Sequence, residues 1–233
     1  MGVKELGIKW LGHSGFLIEH KDAVSDNLEG MRHKVIYIDP YNIKEGLEKA
    51  DLILITHSHY DHCSVADIEK IIKAGTKIIA TADCQSKITR FKIPIKIEVV
   101  EPGQELVLGG VKVSVLPAYN IDKHFHAKDE CWVGYLIKTN GLFIYHAGDT
   151  DFIPEMQKLT GYKQGDKKFV ALLPIGGRFT MNVEEAVEAA KLIKPYLAVP
   201  MHYGSMVGSE DDAKEFKELC EEEGIDVEIL EKE

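Results

Sequence analysis

Thr56-His57-Ser58-His59-Tyr60-Asp61-His62 is the stretch on which the fold turns. Ahead of it stands Leu52-Ile53-Leu54-Ile55, an apolar run of strand length that reads as buried on both faces. Behind it, Ser64 can cap a helix, with Asp67 three residues on as in a capping box. Val65, Ile68, Ile71 and Ile72 then share one helical face, and Gly75 is expected to close the helix. Three histidines and an aspartate therefore sit between a strand end and a helix start. Side chains two apart in an extended turn point the same way, so His57 and His59 can share one metal ion. Asp61 and His62 lie where the chain enters the helix and can face a second. Imidazole with carboxylate is the ligand set of zinc, manganese or iron.

Four ligands do not complete a two-metal site, and two later positions have the same form. Asp149, in His146-Ala147-Gly148-Asp149-Thr150, follows strand 142–145. His202, in Met201-His202-Tyr203-Gly204, follows strand 196–200. Each sits at a strand tip, where a rigid scaffold holds a loop in place.

Outward from these motifs, strands and helices alternate to the end of the chain. Residues 6–10 and 15–19 read as a hairpin around Gly12-His13-Ser14-Gly15. Residues 21–33 read as a polar surface loop. Val35-Ile36-Tyr37-Ile38 is a strand that stops at Asp39-Pro40. Further strands are expected near 77–81, 96–99, 105–108, 111–116, 132–138, 142–145, 169–173, 196–200 and 226–230. Asn182 with Glu185, and Ser209 with Asp212, cap two more helices. Two β-rich halves, each followed by helices, suggest two sheets with helices outside, in a single domain over 1–233.

Composition narrows the function. The 233 residues carry 28 Lys plus Arg against 38 Asp plus Glu, a net charge of −10. Such a chain is poorly suited to coat itself with phosphate backbone, so nucleic acid is a disfavoured partner. No stretch approaches the roughly 18 apolar residues of a membrane span. The start of the chain has no apolar h-region, and the expectation is a cytoplasmic protein. Cys63, Cys84, Cys131 and Cys220 are scattered without a CxxC pair and read as reduced thiols. Cys63 beside the motif is expected to be a small helix-start residue rather than a ligand.

The three motifs together resemble the metallo-β-lactamase superfamily, and within it the small metal-dependent hydrolase branch that includes the ascorbate-6-phosphate lactonase type. Gly12-His13-Ser14-Gly15-Phe16, Tyr37-Ile38-Asp39-Pro40 and Leu173-Pro174-Ile175-Gly176-Gly177 support the likeness, which runs from about residue 8 to 204. It implies an α/β (α+β) fold, a four-layer αββα sandwich of two mixed sheets with outer helices and metals in the cleft at one edge. It implies two divalent ions, zinc first, with manganese or iron as alternatives. His57 and His59 would hold the first ion. Asp61, His62 and His202 would hold the second, Asp149 would bridge, and Asp39 would orient the histidine loop from behind.

The chain departs from that pattern at one place. After strand 111–116 the family usually supplies a third histidine for the first metal, and here Asn120 stands there. His126 is the first candidate to replace it, as ligand or as general acid, with His124 and His146 behind. His13, Asn120 and Arg178 are the expected substrate contacts, Arg178 for an anionic group.

The implied chemistry is hydrolysis of a small ester, lactone or phosphoester by a hydroxide held between two metals, with Asp61 orienting that water. The alternatives are a nuclease or phosphodiesterase of the same superfamily, or a non-hydrolytic metal-binding protein. The expected partner is a small molecule, and a homo-oligomer is compatible with the sequence.

Overall fold

The computed structural model describes residues 2–20, 34–108, 110–139, 141–162 and 167–233. The polar loop expected at 21–33 lies outside them. The chain divides into two compact units, Met1–Val100 with Leu108–Gly110 and Lys232–Glu233, and Glu101–Val107 with Val111–Glu231. Each is built on a mixed six-stranded sheet.

The first sheet runs β1 (Ile8–Gly12), β2 (Gly15–His20), β3 (Lys34–Ile38), β4 (Leu52–Leu54), β5 (Lys77–Ala80), β6 (Lys96–Val99) in spatial as in chain order. β1, β2 and β3 pair antiparallel, and β3 to β6 pair parallel. The parallel strands β3 and β4 are buried at every position, as their unbroken apolar runs require. Helix α1 (Val65–Ile71) covers this sheet through Ile68 and Ile71, which share one core with Tyr37, Ile53 and Ile78. A short helix, α2 (Gln85–Ile88), follows β5.

Helix α1 corrects two details of the sequence reading. It ends at Ile71, with Ile72 already extended at ψ 150°, so Gly75 closes a later turn instead. Ser64 does cap it, accepting from the Asp67 N–H. The Asp67 carboxylate, however, reaches across to the backbone N–H groups of Asn42 (2.9 Å) and Ile43 (3.1 Å). It ties the helix start to the loop after β3 and satisfies two backbone donors there, the Ile43 N–H a buried one.

The second sheet runs β12 (Leu197–Met201), β11 (Lys168–Pro174), β10 (Leu142–His146), β9 (Val133–Lys138), β8 (Val111–Pro117), β7 (Glu105–Leu108). β10, β11 and β12 are parallel, and β8, β9 and β10 antiparallel. Helices α3 (Val183–Ile193) and α4 (Glu210–Glu222) open with the expected capping boxes at Asn182–Glu185 and Ser209–Asp212. The strand expected at 226–230 is reduced to one bridge, Ala198 with Val227. Only the Ala198 N–H and C=O find partners there, in the Asp226 C=O and the Glu228 N–H, which is too little ladder for a strand. Among the described residues no helix is long and apolar enough to cross a membrane.

Candidate metal centre

In the first unit every donor hangs from the C-terminal ends of β3 and β4 and from the β1–β2 hairpin. β3 ends in Asp39, fully buried and in the left-handed region at φ 43°. Its carboxylate accepts from the Thr56 N–H at 2.8 Å and from the Thr56 hydroxyl at 2.6 Å. It also takes the Nδ1 proton of His62 at 2.8 Å. A carboxylate can only accept, so the His62 proton is on Nδ1 and its Nε2 carries a lone pair. The Thr56 hydroxyl has given its proton to Asp39, so it accepts from His57 Nδ1 at 3.0 Å. His57 thereby also presents an Nε2 lone pair. One buried aspartate sets the tautomer of two histidines.

Those lone pairs have neighbours of the same kind. His57 Nε2 lies 3.0 Å from His59 Nδ1, and the two rings meet edge to face. The turn is closed by the N–H groups of His62 and Cys63, both donating to the His59 carbonyl. His62 Nε2 lies 3.6 Å from Asp61 Oδ2. His59 is exposed, whereas His57, Asp61 and His62 are buried. Tyr60 points outward at 62% exposure, its ring edge-on to Tyr41. Cys63 belongs to the core under α1, in contact with Cys84.

His13, the expected substrate contact on the hairpin, is only 3% exposed and lies 2.9 Å through Nε2 from Asp61 Oδ2. The hairpin tip folds inward because Gly12 (φ 96°) and His13 (φ 53°) both take left-handed backbone and Trp10 Nε1 holds the His13 carbonyl. The nearest ligand atoms of His13, Asp61 and His62 all lie within 4.8 Å of one another.

In the second unit the donors arrive from three strand ends. Asp149 follows β10, His202 follows β12, and His126 sits in the loop between β8 and β9. Asp149 Oδ2 lies 3.1 Å from His202 Nε2 and 3.4 Å from His126 Nε2. All three side chains are almost wholly buried. His126 Nδ1 donates to the Phe179 carbonyl at 2.8 Å, so its Nε2 lone pair faces the Asp149 carboxylate. The imidazolium, with Nε2 protonated as well, suits a general acid, and in its neutral form this tautomer suits a ligand. His146 is turned away from that role, because its Nδ1 accepts the Gly148 N–H at 3.2 Å. His124 is exposed.

Asn120 holds the His126 loop. Its Nδ2 donates to the carbonyls of Phe125 (2.9 Å) and Phe179 (2.7 Å), and its backbone N–H to the His126 carbonyl (2.8 Å). Both amide protons are spent inside the fold, so a substrate contact through Nδ2 is closed. Its buried Oδ1 has no hydrogen-bond partner among the described residues. Asp151 braces the same loop through the Ile121 N–H and Lys123. The loop's signal in the sequence was its two histidines; nothing in the pattern marked Asn120 as the clamp. Arg178 is exposed, over the Phe179 ring at 5.1 Å.

The protein has sequence and structural relatives. A profile of the beta-lactamase superfamily domain matches residues 7–202. A UPF0173 metal-dependent hydrolase of Nanoarchaeum equitans is 34% identical over 229 residues, covering 97% of this chain and 96% of that protein. One from Thermococcus kodakarensis is 37% identical over 222 residues, 91% of each chain. Among solved structures, a candidate metal-dependent hydrolase of Parabacteroides distasonis superposes with a TM-score of 0.77 at 31% identity, covering 96% of this chain and 93% of the other. Igni18, a metallo hydrolase of Ignicoccus hospitalis, gives 0.69 at 28% identity, covering 96% and 94%.

Proposed function

This chain belongs to the beta-lactamase superfamily as a metal-dependent hydrolase, and on that premise we propose that it is a two-metal enzyme acting on a small ester, lactone or phosphoester. His57, His59, Asp61 and His62 of the first unit and His126, Asp149 and His202 of the second supply the ligands. His126 takes the ligand place that Asn120 leaves, and zinc is the metal its imidazole-rich set suits best.

The observation that carries this reading is the tautomer control. Asp39 fixes His62 directly and His57 through Thr56, and the Phe179 carbonyl fixes His126. Backing each Nδ1 with an acceptor is how proteins prepare Nε2 for a metal. When bound, the ions would supply an activated water at neutral pH and a Lewis acid for a carbonyl or phosphoryl oxygen. The protein's own part is to hold the Asp61 and Asp149 carboxylates oriented among buried imidazoles. Arg178 offers a cation for an anionic substrate group. The net charge of −10 argues for a small substrate over a nucleic acid.

Purified protein tests this with a panel of lactones, aryl esters and phosphodiesters, assayed before and after chelation. Turnover that disappears on chelation and returns with zinc is the expected result. Turnover indifferent to chelation would refute the metal mechanism.

A further inference from the structure

We propose that His13 is a metal ligand, and that the first unit by itself offers a three-ligand face of His13, Asp61 and His62 for a divalent first-row ion. This rests on the reading above and adds to it an imidazole that the expected ligand pattern does not contain.

The argument starts from the hairpin. A β1–β2 turn on a surface ordinarily takes Asn or Gly where φ is positive and leaves its side chains in water. Here a histidine holds φ 53°, a conformation that costs a non-glycine residue of the order of 1 kcal/mol. Its ring is nonetheless buried, packed edge-on against His62 (5.6 Å) and Tyr41 (6.0 Å). The Trp10 indole holds its carbonyl at 2.8 Å and fixes the tip. Backbone strain and burial are thus combined to aim one imidazole at Asp61.

The distances are close to those a shared ion would set. Metal–ligand arms of about 2.0–2.2 Å put two ligand atoms of one ion roughly 3–3.5 Å apart. His13 Nε2 and Asp61 Oδ2 are 2.9 Å apart, and Asp61 Oδ2 and His62 Nε2 are 3.6 Å apart. The spacing between His126, Asp149 and His202 falls in the same range. The His62 Nε2 lone pair is already secured by Asp39. Two imidazoles and one carboxylate are a donor set that suits zinc, iron(II), manganese or cobalt.

The test uses the full chain, stripped with a chelator and titrated with cobalt(II), reading the visible d–d bands and competition with a chromophoric chelator. His13→Gln should weaken one cobalt equivalent by about tenfold or more and change its d–d envelope. His124→Ala should match the wild type. Unchanged affinity and bands in His13→Gln, beside a loss in Asp61→Asn, would overturn this assignment and leave the functional reading standing. Failure of the wild type to take up cobalt at all would remove the functional reading and this inference with it. Should His13→Gln fail to fold, the cobalt-loaded wild type still decides by NMR. A ligand's ring protons are strongly hyperfine-shifted, and His13 resonances at ordinary positions would refute the proposal.

Discussion

The two units share a plan, a mixed sheet in which an antiparallel part joins a parallel part, and they deliver their donors in opposite ways. In the first, four of the donors lie within six consecutive residues after β4, and a single carboxylate, Asp39, stands behind two of them. In the second, Asp149, His202 and His126 come from three separate strand ends, and backbone carbonyls with Asn120 do the holding. A contiguous loop concentrates control in one side chain. A dispersed set spreads it over many weaker contacts. Loss of one support should therefore be severe in the first unit and graded in the second.

The largest expected effect is at the first unit's carboxylates. Asp61→Asn keeps the shape and loses the charge, and turnover should fall roughly 100-fold or more while the far-UV spectrum is unchanged. Asp39→Asn touches no metal, yet it replaces one of the acceptors that fix His57 and His62. Metal affinity should fall by roughly 10–100-fold. An Asp39→Asn protein that binds metal normally would break the comparison at its strongest point.

Next comes the backbone of the second unit. A Cβ added at Gly176 would meet the His202 carbonyl at 2.6 Å and the Val207 side chain at 2.7 Å. Gly176→Ala must therefore displace the His202 turn, at a cost of about 1–3 kcal/mol and a clear drop in metal affinity. Thermal unfolding and metal titration of the same variant check both. Asn120→Ala removes one clamp among several around His126. The account predicts faster hydrogen exchange over residues 120–127 and a loss of metal affinity smaller than that of Asp39→Asn. Equal losses would show that control is as concentrated here as in the first unit.

The smallest effect concerns the tie between α1 and the loop after β3. Burial alone would raise the Asp67 pKa. The Ser64 and Lys70 side chains and the Asn42 and Ile43 N–H groups outweigh it and hold the group below its ordinary 3.8. A depressed pKa stabilises the fold above the unfolded value and is lost as pH falls through the folded one. Asp67→Asn should cost about 1–3 kcal/mol at neutral pH, with the gap to wild type closing below pH 3.8. Denaturant unfolding at several pH values reads this directly.

The same contrast explains what could be read from the sequence. The first unit was legible because its donors are contiguous and its strands are unbroken apolar runs. The capping boxes at Asn182 and Ser209 were legible because they are local. The burial of His13 was not legible because nothing in a Gly-His-Ser-Gly turn says whether the tip folds outward or inward; that depends on packing against Tyr41 and His62. The clamp at Asn120 was invisible because its partner carbonyls at Phe125 and Phe179 are joined only by the fold. The strand expected at 226–230 failed for want of a ladder, which an apolar alternation cannot guarantee.

The central claim is that the donors of both units bind metal. Elemental analysis of protein purified without added metal, on the wild type and on Asp149→Ala, tests it most directly. The account predicts about two first-row divalent ions per chain in the wild type and a clear loss in Asp149→Ala, whose carboxylate lies against both His126 and His202. A wild type essentially free of such ions and unable to take them up, or an Asp149→Ala protein with full metal content, would contradict it.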